Sequence, residues 1–234
     1  SASPADWAEV EALARDFRFP AVLKWSDPNA VAATLGAQGI DLVKAEYVYT
    51  ADEFLKVAER YRQVGQWPLV QEYCAGVGLG QFFFMHRGQA VRRFQHLRIA
   101  EWPPEGGFSS VCDAVPLEQF VPLQEKSIRL LQHIGWDGVA MVEYRYDPAS
   151  GRAVLMEVNG RFWGSFPLAM YCGAGFGLLA YSLQGQGRMP DLPPPDDTLR
   201  CRMVATELKR LRRILLQPGQ IRDRTFQVRP LREV

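Results

Sequence analysis

Residues 138–159 constrain this chain more than any other stretch. They read GVAMVEYRY, DPASG, RAVLMEVN: two runs of alternating apolar and polar residues around a turn-forming pentapeptide, the pattern of an antiparallel hairpin. A turn centred on Ser150 pairs Val142 with Val158, Tyr144 with Met156 and Tyr146 with Val154 on a largely apolar face. The other face then sets Glu143 against Glu157 and Met141 against Asn159. A slip of one residue would scramble the apolar pairs, so the register is specified. Like charges directly opposite destabilise a sheet by up to about 1 kcal/mol when exposed, and more when desolvated. This face therefore calls for a compensating cation. Mg²⁺ fits, because it takes one or two carboxylates and leaves its other positions to water and phosphate. Asn159 adds an amide oxygen on the same face, and Arg161, just past the strand, adds a planar donor for phosphate. Two other readings use the same residues: a solvated face on which Arg145 and Arg161 balance the glutamates, and the paired carboxylates of a glycosidase. The flanking Asn and Arg favour metal–phosphate chemistry over sugar chemistry.

Composition narrows the classes further. The chain has 234 residues, 47% hydrophobic and 23% charged, which excludes disorder and collagen and suffices for a core without staples. A net charge of +1 excludes a generic polyanion binder, and no nucleic-acid partner is expected. Cys74, Cys112, Cys172 and Cys201 are widely spaced with no CxxC, which points to a reducing compartment, the cytoplasm, rather than a disulfide scaffold or zinc site. His86, His96 and His133 show no ligand spacing. The uncharged run Phe162–Gly187 is interrupted by Pro167 and by glycines at 164, 173, 175 and 177. It reads as buried helix plus loop rather than a membrane span. No basic segment followed by an apolar one opens the chain, so no signal peptide is read.

Along the chain, DWAEVEALARDF reads as a helix capped by Asp6, FPAVLKW as a strand, SDPNAVAATLGAQGI as a loop-rich connection and DLVKAEYVY as a second strand. TADEFLKVAERYRQV follows as a helix with Thr50 and Glu53 in capping-box spacing, then WPLVQEYC as a strand. QFFFMH and QAVRRFQHLRI form a hairpin across Arg87-Gly88, AEWPPEGGFSS a loop, and Pro122 to Ile134 a helix stopped by Gly135. Residues 187–199 are a linker by composition. Residues 200–234 hold ten Lys/Arg and three Asp/Glu, and most of that charge surrounds a helix in which Val204, Leu208, Leu211 and Leu215 form an amphipathic stripe. A packed helix with a solvated basic face is the simpler reading, a surface for anionic partners or membranes the other. Hairpins without βα alternation make the class α+β.

With these residues in place, MEVNGRFWGS and the acid fourteen residues before its glutamate resemble the metal- and phosphate-binding hairpin of the ATP-grasp superfamily. FPAVLK resembles that family's strand ending in a phosphate-contacting lysine, Lys24 here, and LVKAEYVYTADEF its second lysine strand, with Lys44. PLVQEYCAG resembles the hinge strand facing adenine, implicating Gln71, Glu72, Tyr73 and Cys74. Within the superfamily, FRFPAVLK, HLRIAEWPPEGGFSS and the hairpin look most like the carboxylate–amine ligases known as carboligases. The stretch with Arg98, Gly106, Gly107 and Ser109 then falls where such members meet substrate. GVGLGQ lacks the acidic residue that the family often uses for ribose.

The resemblance implies an ATP-grasp fold: two α+β subdomains with antiparallel sheets sandwiching a nucleotide. The small lid would cover residues 16–70 and the larger subdomain 71–190, with a linker and basic helix over 191–234. It implies ATP and Mg²⁺, with Mn²⁺ as an alternative, and small-molecule carboxylate and amine substrates; a homodimer is an open option. Lys24 and Lys44 would hold phosphates, Glu143, Glu157 and Asn159 the metal, and Arg161 the transferring group. The acid would become an acylphosphate that an amine or thiol attacks. The alternative is a scaffold domain of the same fold that has lost catalysis and docks through the basic helix. The domain that usually precedes the lysine strand in this family is not read in these 234 residues, so poor ligation beside retained nucleotide binding is expected.

Overall fold

The computed structural model describes residues 1–43, 45–104, 106–221, 223 and 226. Lys44 lies outside the described residues. The chain divides into two compact units, residues 1–74 and 75–234.

In the first unit, α1 (Trp7–Asp16) is capped by Asp6, whose carboxylate accepts the Glu9 N–H at 2.9 Å. β1 (Ala21–Lys24) is the centre of a three-stranded antiparallel sheet, flanked by β2 (Glu46–Val48) and β3 (Leu69–Glu72). Between β1 and β2 the expected loop is a helix, α2 (Pro28–Ala37). Its Asp-Pro start signals a helix N-terminus as well as a turn: Asp27 accepts the N–H groups of Asn29 and Ala30, and Pro28 occupies the first turn. Val31 and Leu35, four apart, are its buried face. α3 (Ala51–Glu59) carries the expected cap at Thr50, which accepts the Glu53 N–H at 3.2 Å; the Glu53 side chain reaches back to the Tyr49 N–H at 2.9 Å. Val10, Leu23, Phe54, Ala58 and Val70 form the core beneath.

The second unit is built on a six-stranded antiparallel sheet in the order β8-β7-β4-β5-β6-β9. Its strands are β4 (Val77–His86), β5 (Gln89–Trp102), β6 (Phe108–Ala114), β7 (Gly138–Tyr146), β8 (Ala153–Asn159) and β9 (Arg200–Arg202). β4 and β5 meet in the expected tight turn, with Arg87 and Gly88 both at positive φ, 50° and 76°. Only the Pro103-Pro104 and Gly106-Gly107 stretch is loop, since Ala100–Trp102 continue β5 and Phe108–Ser110 open β6. The proline and glycine signals masked two strand ends.

β4 is buried on both faces. Phe82 and Phe84 point to a core with Phe94, Met141, Leu168, Phe176 and Leu179, where Trp163 stacks on Phe82 at 4.0 Å. That cover comes from α5 (Phe166–Tyr171), α6 (Phe176–Leu179) and a π-type turn over Ala180–Gly185. None of the described helices is long and apolar enough to cross a membrane. On the other face, Leu79, Phe83 and Met85 pack with Leu131 of α4 (Val121–His133). Under α4 lies a buried polar layer. Ser127 donates to Gln81 at 2.7 Å and meets the Tyr144 hydroxyl at 2.8 Å, and Gln81 and Gln124 both donate to Gln95.

Residues 187–199 run docked rather than free. Leu192 and Leu199 pack on the core, and the Pro193 carbonyl accepts from Arg92 at 2.6 Å. They lead into β9 and then α7 (Val204–Leu216), whose apolar stripe is not the packed face expected of it. Thr206, Glu207, Arg210 and Ile214 are buried, whereas Val204, Leu208 and Leu215 are 66, 63 and 69% exposed. The helix packs on β5 and β6, with the Arg213 guanidinium 4.9 Å from the Trp102 ring centre. Its rotation is set at its start, where the Met203 N–H is tied to the Ser110 carbonyl at 2.8 Å. Long arginine stems can serve as packing surface, so Arg210 is buried and Arg213 lies against Trp102, while Lys209 and Arg212 stay exposed.

Candidate functional site

The β7–β8 hairpin places Glu143 opposite Glu157, Met141 opposite Asn159 and Val142 opposite Val158, the expected register. Beyond Glu143 a bulge shifts the pairing by one, so Tyr144 faces Leu155 and Tyr146 faces Ala153. The expected pairs of Tyr144 with Met156 and Tyr146 with Val154 are therefore replaced. The bulge falls beside the carboxylate pair, which it leaves undisturbed. Glu143 lies on the face of the sheet that carries Phe82 and Met141, so one end of that face is apolar and helix-covered and the other is charged.

Arg98 occupies the charged end. Its guanidinium donates to Glu143 at 2.6 Å, to Glu101 at 3.1 Å and to the Gly107 carbonyl at 3.0 Å. Arg145 stands 3.5 Å from the other oxygen of Glu101. Arg98, Glu101 and Glu143 are 12–13% exposed, whereas Glu157 is exposed. Arg98 reaches Glu143 because β4, the strand between them, has glycines at 78 and 80. A Cβ at Gly78 would lie 2.4 Å from the Arg98 Cδ, and one at Gly80 would lie 2.6 Å from the His96 Nε2. The two glycines make a lane without side chains, filled by neighbours from β5. A second device is the bulge at Ile99, which has no partner on β6. It puts Arg98 and Glu101, three apart, on one face, where regular alternation would part them.

Burial raises the Glu143 pKa; the Arg98 charge pulls it down, Glu157 and Glu101 push it up, and the net direction is upward. Burial alone would lower the Arg98 pKa, but Glu143 and Glu101 outweigh it and raise it. Burial pushes the His96 imidazole down to about 3, with Arg98 adding to the effect, so it is neutral at neutral pH.

The donor set suits a small hard cation. Glu143 and Glu157 come from paired positions, Asn159 donates its amide N–H to Glu157 at 2.6 Å, and Arg98 engages only one oxygen of Glu143. Among the described residues no three His, Cys, Asp or Glu side chains converge, but Mg²⁺ needs only one or two carboxylates. Arg161 is exposed just past β8 and donates to the Phe162 carbonyl at 3.1 Å. Gly106 sits in the turn at φ 137°, and Ser109 is buried in β6 opposite Glu101. In the first unit, Lys24 closes β1 opposite Leu69, and Gln71 and Glu72 pair with Val22 and Ala21. The Tyr73 ring lies 6.2 Å from Tyr47, and the Cys74 thiol faces the Glu72 carbonyl at 3.7 Å. The structure thus joins Arg98, Gly107, Glu143, Glu157 and Asn159. Glu101 and His96 complete the patch and were not singled out as site residues in sequence; Arg145, read there as balancing the glutamates, stands beside Glu101. The alternating glycines of GVGLGQ were the available signal for them.

Residues 112–184 match the model of the carbamoyl-phosphate synthase L chain ATP-binding domain. Among solved structures, the biotin carboxylase domain of Hydrogenobacter thermophilus 2-oxoglutarate carboxylase, solved as a dimer with MgADP and bicarbonate, is similar at TM-score 0.60 and 16% identity; the match covers 85% of this chain and 43% of that one. Campylobacter jejuni biotin carboxylase in complex with a β,γ-ATP ligand matches at 0.56 and 12%, covering 85% and 44%. Staphylococcus aureus N5-carboxyaminoimidazole synthetase matches at 0.54 and 10%, covering 82% and 46%. The chain therefore spans less than half the length of each of these proteins. Among curated proteins no sequence matches it. The chain has the α+β ATP-grasp fold of these structures, and residues 112–184 of it match the ATP-binding family model.

Proposed function

We propose that this domain serves an ATP-dependent carboxylate–amine, or carboxylate–thiol, ligase that proceeds through an acylphosphate and releases ADP and phosphate. The observation that carries the reading is the Glu143–Glu157 cross-strand pair with Asn159 beside it, on an ATP-grasp fold. Such chemistry asks the protein mainly for positioning and charge neutralisation. Lys24 and Lys44 bind phosphate oxygens, and Gln71 to Cys74 present main chain and side chains to adenine. Glu143, Glu157 and Asn159 hold Mg²⁺, or Mn²⁺, which supplies charge neutralisation at the phosphates when bound. Arg161 steadies the transferring group. Arg98, Gly106, Gly107 and Ser109 lie on the side where the acid is held. The working division is a lid over 16–70, a larger part over 71–190 and a linker with basic helix over 191–234. The partners are a small acid and amine in the cytoplasm, and a homodimer is compatible with this reading.

Titration calorimetry with Mg-ADP tests the site. Glu157→Gln weakens binding and spares or raises the stability of the unliganded protein, by up to about 1 kcal/mol, because it relieves a like-charge pair. Unchanged Mg-ADP affinity in that variant overturns the metal assignment. A phosphate-release screen over amino acids, peptides and other carboxylates identifies the acid.

One observation favours a second reading, a nucleotide-binding scaffold that docks through α7. Leu208 and Leu215 face outward beside Lys209 and Arg212, a surface matched to an acidic amphipathic segment. Mg-ADP binding without phosphate release for any acid and amine pair selects it.

A further inference from the structure

Four free cysteines are present, and three of them share one place in the fold. Cys112 on β6 and Cys201 on β9 are direct partners in the antiparallel ladder. The flanking pairs, Ala114 with Leu199 and Ser110 with Met203, are tied by N–H···O bonds of 2.9 and 2.8 Å. Alternation therefore makes the cysteines a hydrogen-bonded pair, the kind in which Cα atoms typically lie about 5.5 Å apart, within the disulfide range. Directly opposed residues point to one face. There Cys112 is buried and Cys201 half-buried, both against the core that also holds Cys172. The register is pinned next door, where Arg200 grips Asp113 through two bonds of 2.5 and 2.7 Å. Cys172 abuts the same segment: its carbonyl accepts the Asp196 N–H at 2.8 Å.

We propose that Cys112 and Cys201 form a thiol-modification site that closes to a cross-strand disulfide when a small disulfide oxidant such as oxidised glutathione reaches Cys201. The half-buried Cys201 thiolate attacks one glutathione sulfur, forming the Cys201–glutathione bond, breaking the glutathione S–S bond and expelling one glutathione thiolate. The Cys112 thiolate then attacks the Cys201 sulfur and expels the second glutathione thiolate. The two protein thiols lose two electrons and two protons, and one oxidised glutathione becomes two reduced ones. The second step needs no outside access, since Cys112 is already opposite. Burial pushes the Cys112 thiol up to about 12, with Cys201 and Asp113 adding to it. The closing step is accordingly slow at neutral pH, and the thiolate fraction that drives it grows about tenfold per pH unit. The bond would clamp the three-residue edge strand β9, and α7 after it, onto β6.

The test treats the native 234-residue chain with oxidised glutathione at pH 7, 8 and 9, then counts thiols and maps linked peptides by mass spectrometry. The expected result is loss of the Cys112 and Cys201 thiols, one peptide pair containing both, and closure that quickens with pH. Reductant reverses it, and Tm rises by roughly 5 °C or more, because the bond closes a long loop. Cys201→Ser abolishes the link, and Cys172→Ser keeps it. A glutathione adduct on Cys201 that never closes overturns the proposal. So does a link through Cys172 instead, or retention of both thiols in the folded protein.

Discussion

Arg98→Met is the sharpest perturbation of the charged patch. Methionine keeps most of the stem that fills the Gly78 lane and removes only the guanidinium. Three hydrogen bonds go with it, to Glu143, Glu101 and the Gly107 carbonyl. Glu101 keeps Arg145 at 3.5 Å, so the unpaired charge falls mainly on Glu143, which is 13% exposed. Removing one partner of a buried pair costs about 3–5 kcal/mol, and the lower end applies because Glu101 stays compensated. The Glu143 pKa is already raised in the folded protein, and losing Arg98 raises it further. Between the unfolded value, near 4.5, and that raised value, the folded state holds the extra proton. The Glu143 part of the penalty is thus absent below about pH 4.5, grows as pH rises from there to the folded pKa and is full above it. Urea unfolding followed by tryptophan fluorescence reads this, with a loss of about 3 kcal/mol at pH 7.5 that shrinks by half or more at pH 4.5. Adding Glu143→Gln to Arg98→Met should recover at least half of the loss at pH 7.5. A loss under about 1 kcal/mol, or one equal at both pH values, refutes the view that Arg98 is the counter-charge of Glu143.

Gly78→Ala puts a Cβ 2.4 Å from the Arg98 Cδ and should cost about 1–3 kcal/mol in urea unfolding, with the Arg98–Glu143 coupling lost in a double-mutant cycle. Ser127→Ala opens the polar layer under α4, leaving Gln81 and Tyr144 short of a partner, and should lower stability by about 1–3 kcal/mol. Leu208→Ser with Leu215→Ser, both on the outward side of α7, should leave stability within about 0.5 kcal/mol per site by the same melts; a larger loss would place that stripe in the core.

The parts of the fold that were legible in sequence are those where local signals agree. Asp6 and Thr50 cap helices because a short oxygen-bearing side chain before an amphipathic run has little else to do. Arg87-Gly88 turns a hairpin because the turn needs positive φ at both positions. Where signals compete, the reading failed. Asp27-Pro28 serves equally as turn or helix start, and only the tertiary burial of Val31 and Leu35 decides it. On α7 the leucine spacing is correct for a helix, but spacing does not say which side meets the sheet. That was decided by the Met203–Ser110 tie and by the room for arginine stems beside Trp102, both non-local.

The site divides along the same line. Glu143, Glu157 and Asn159 were legible because hairpin register is a local property with period two. Arg98 lies 45 residues before Glu143 and reaches it only through a glycine lane and an unpaired Ile99, neither of which periodicity registers. The consequence is electrostatic. Arg98 and Arg145 face Glu101, Glu143 and Glu157, so two positive charges meet three negative ones and the patch carries −1. Without the two arginines it would carry −3, and the Glu143–Glu157 repulsion would be borne by the sheet. With them, one divalent cation would turn the patch from −1 to +1. A patch of that sign favours a polyphosphate over a neutral ligand, so cation and anion should bind cooperatively, each removing the charge the other leaves.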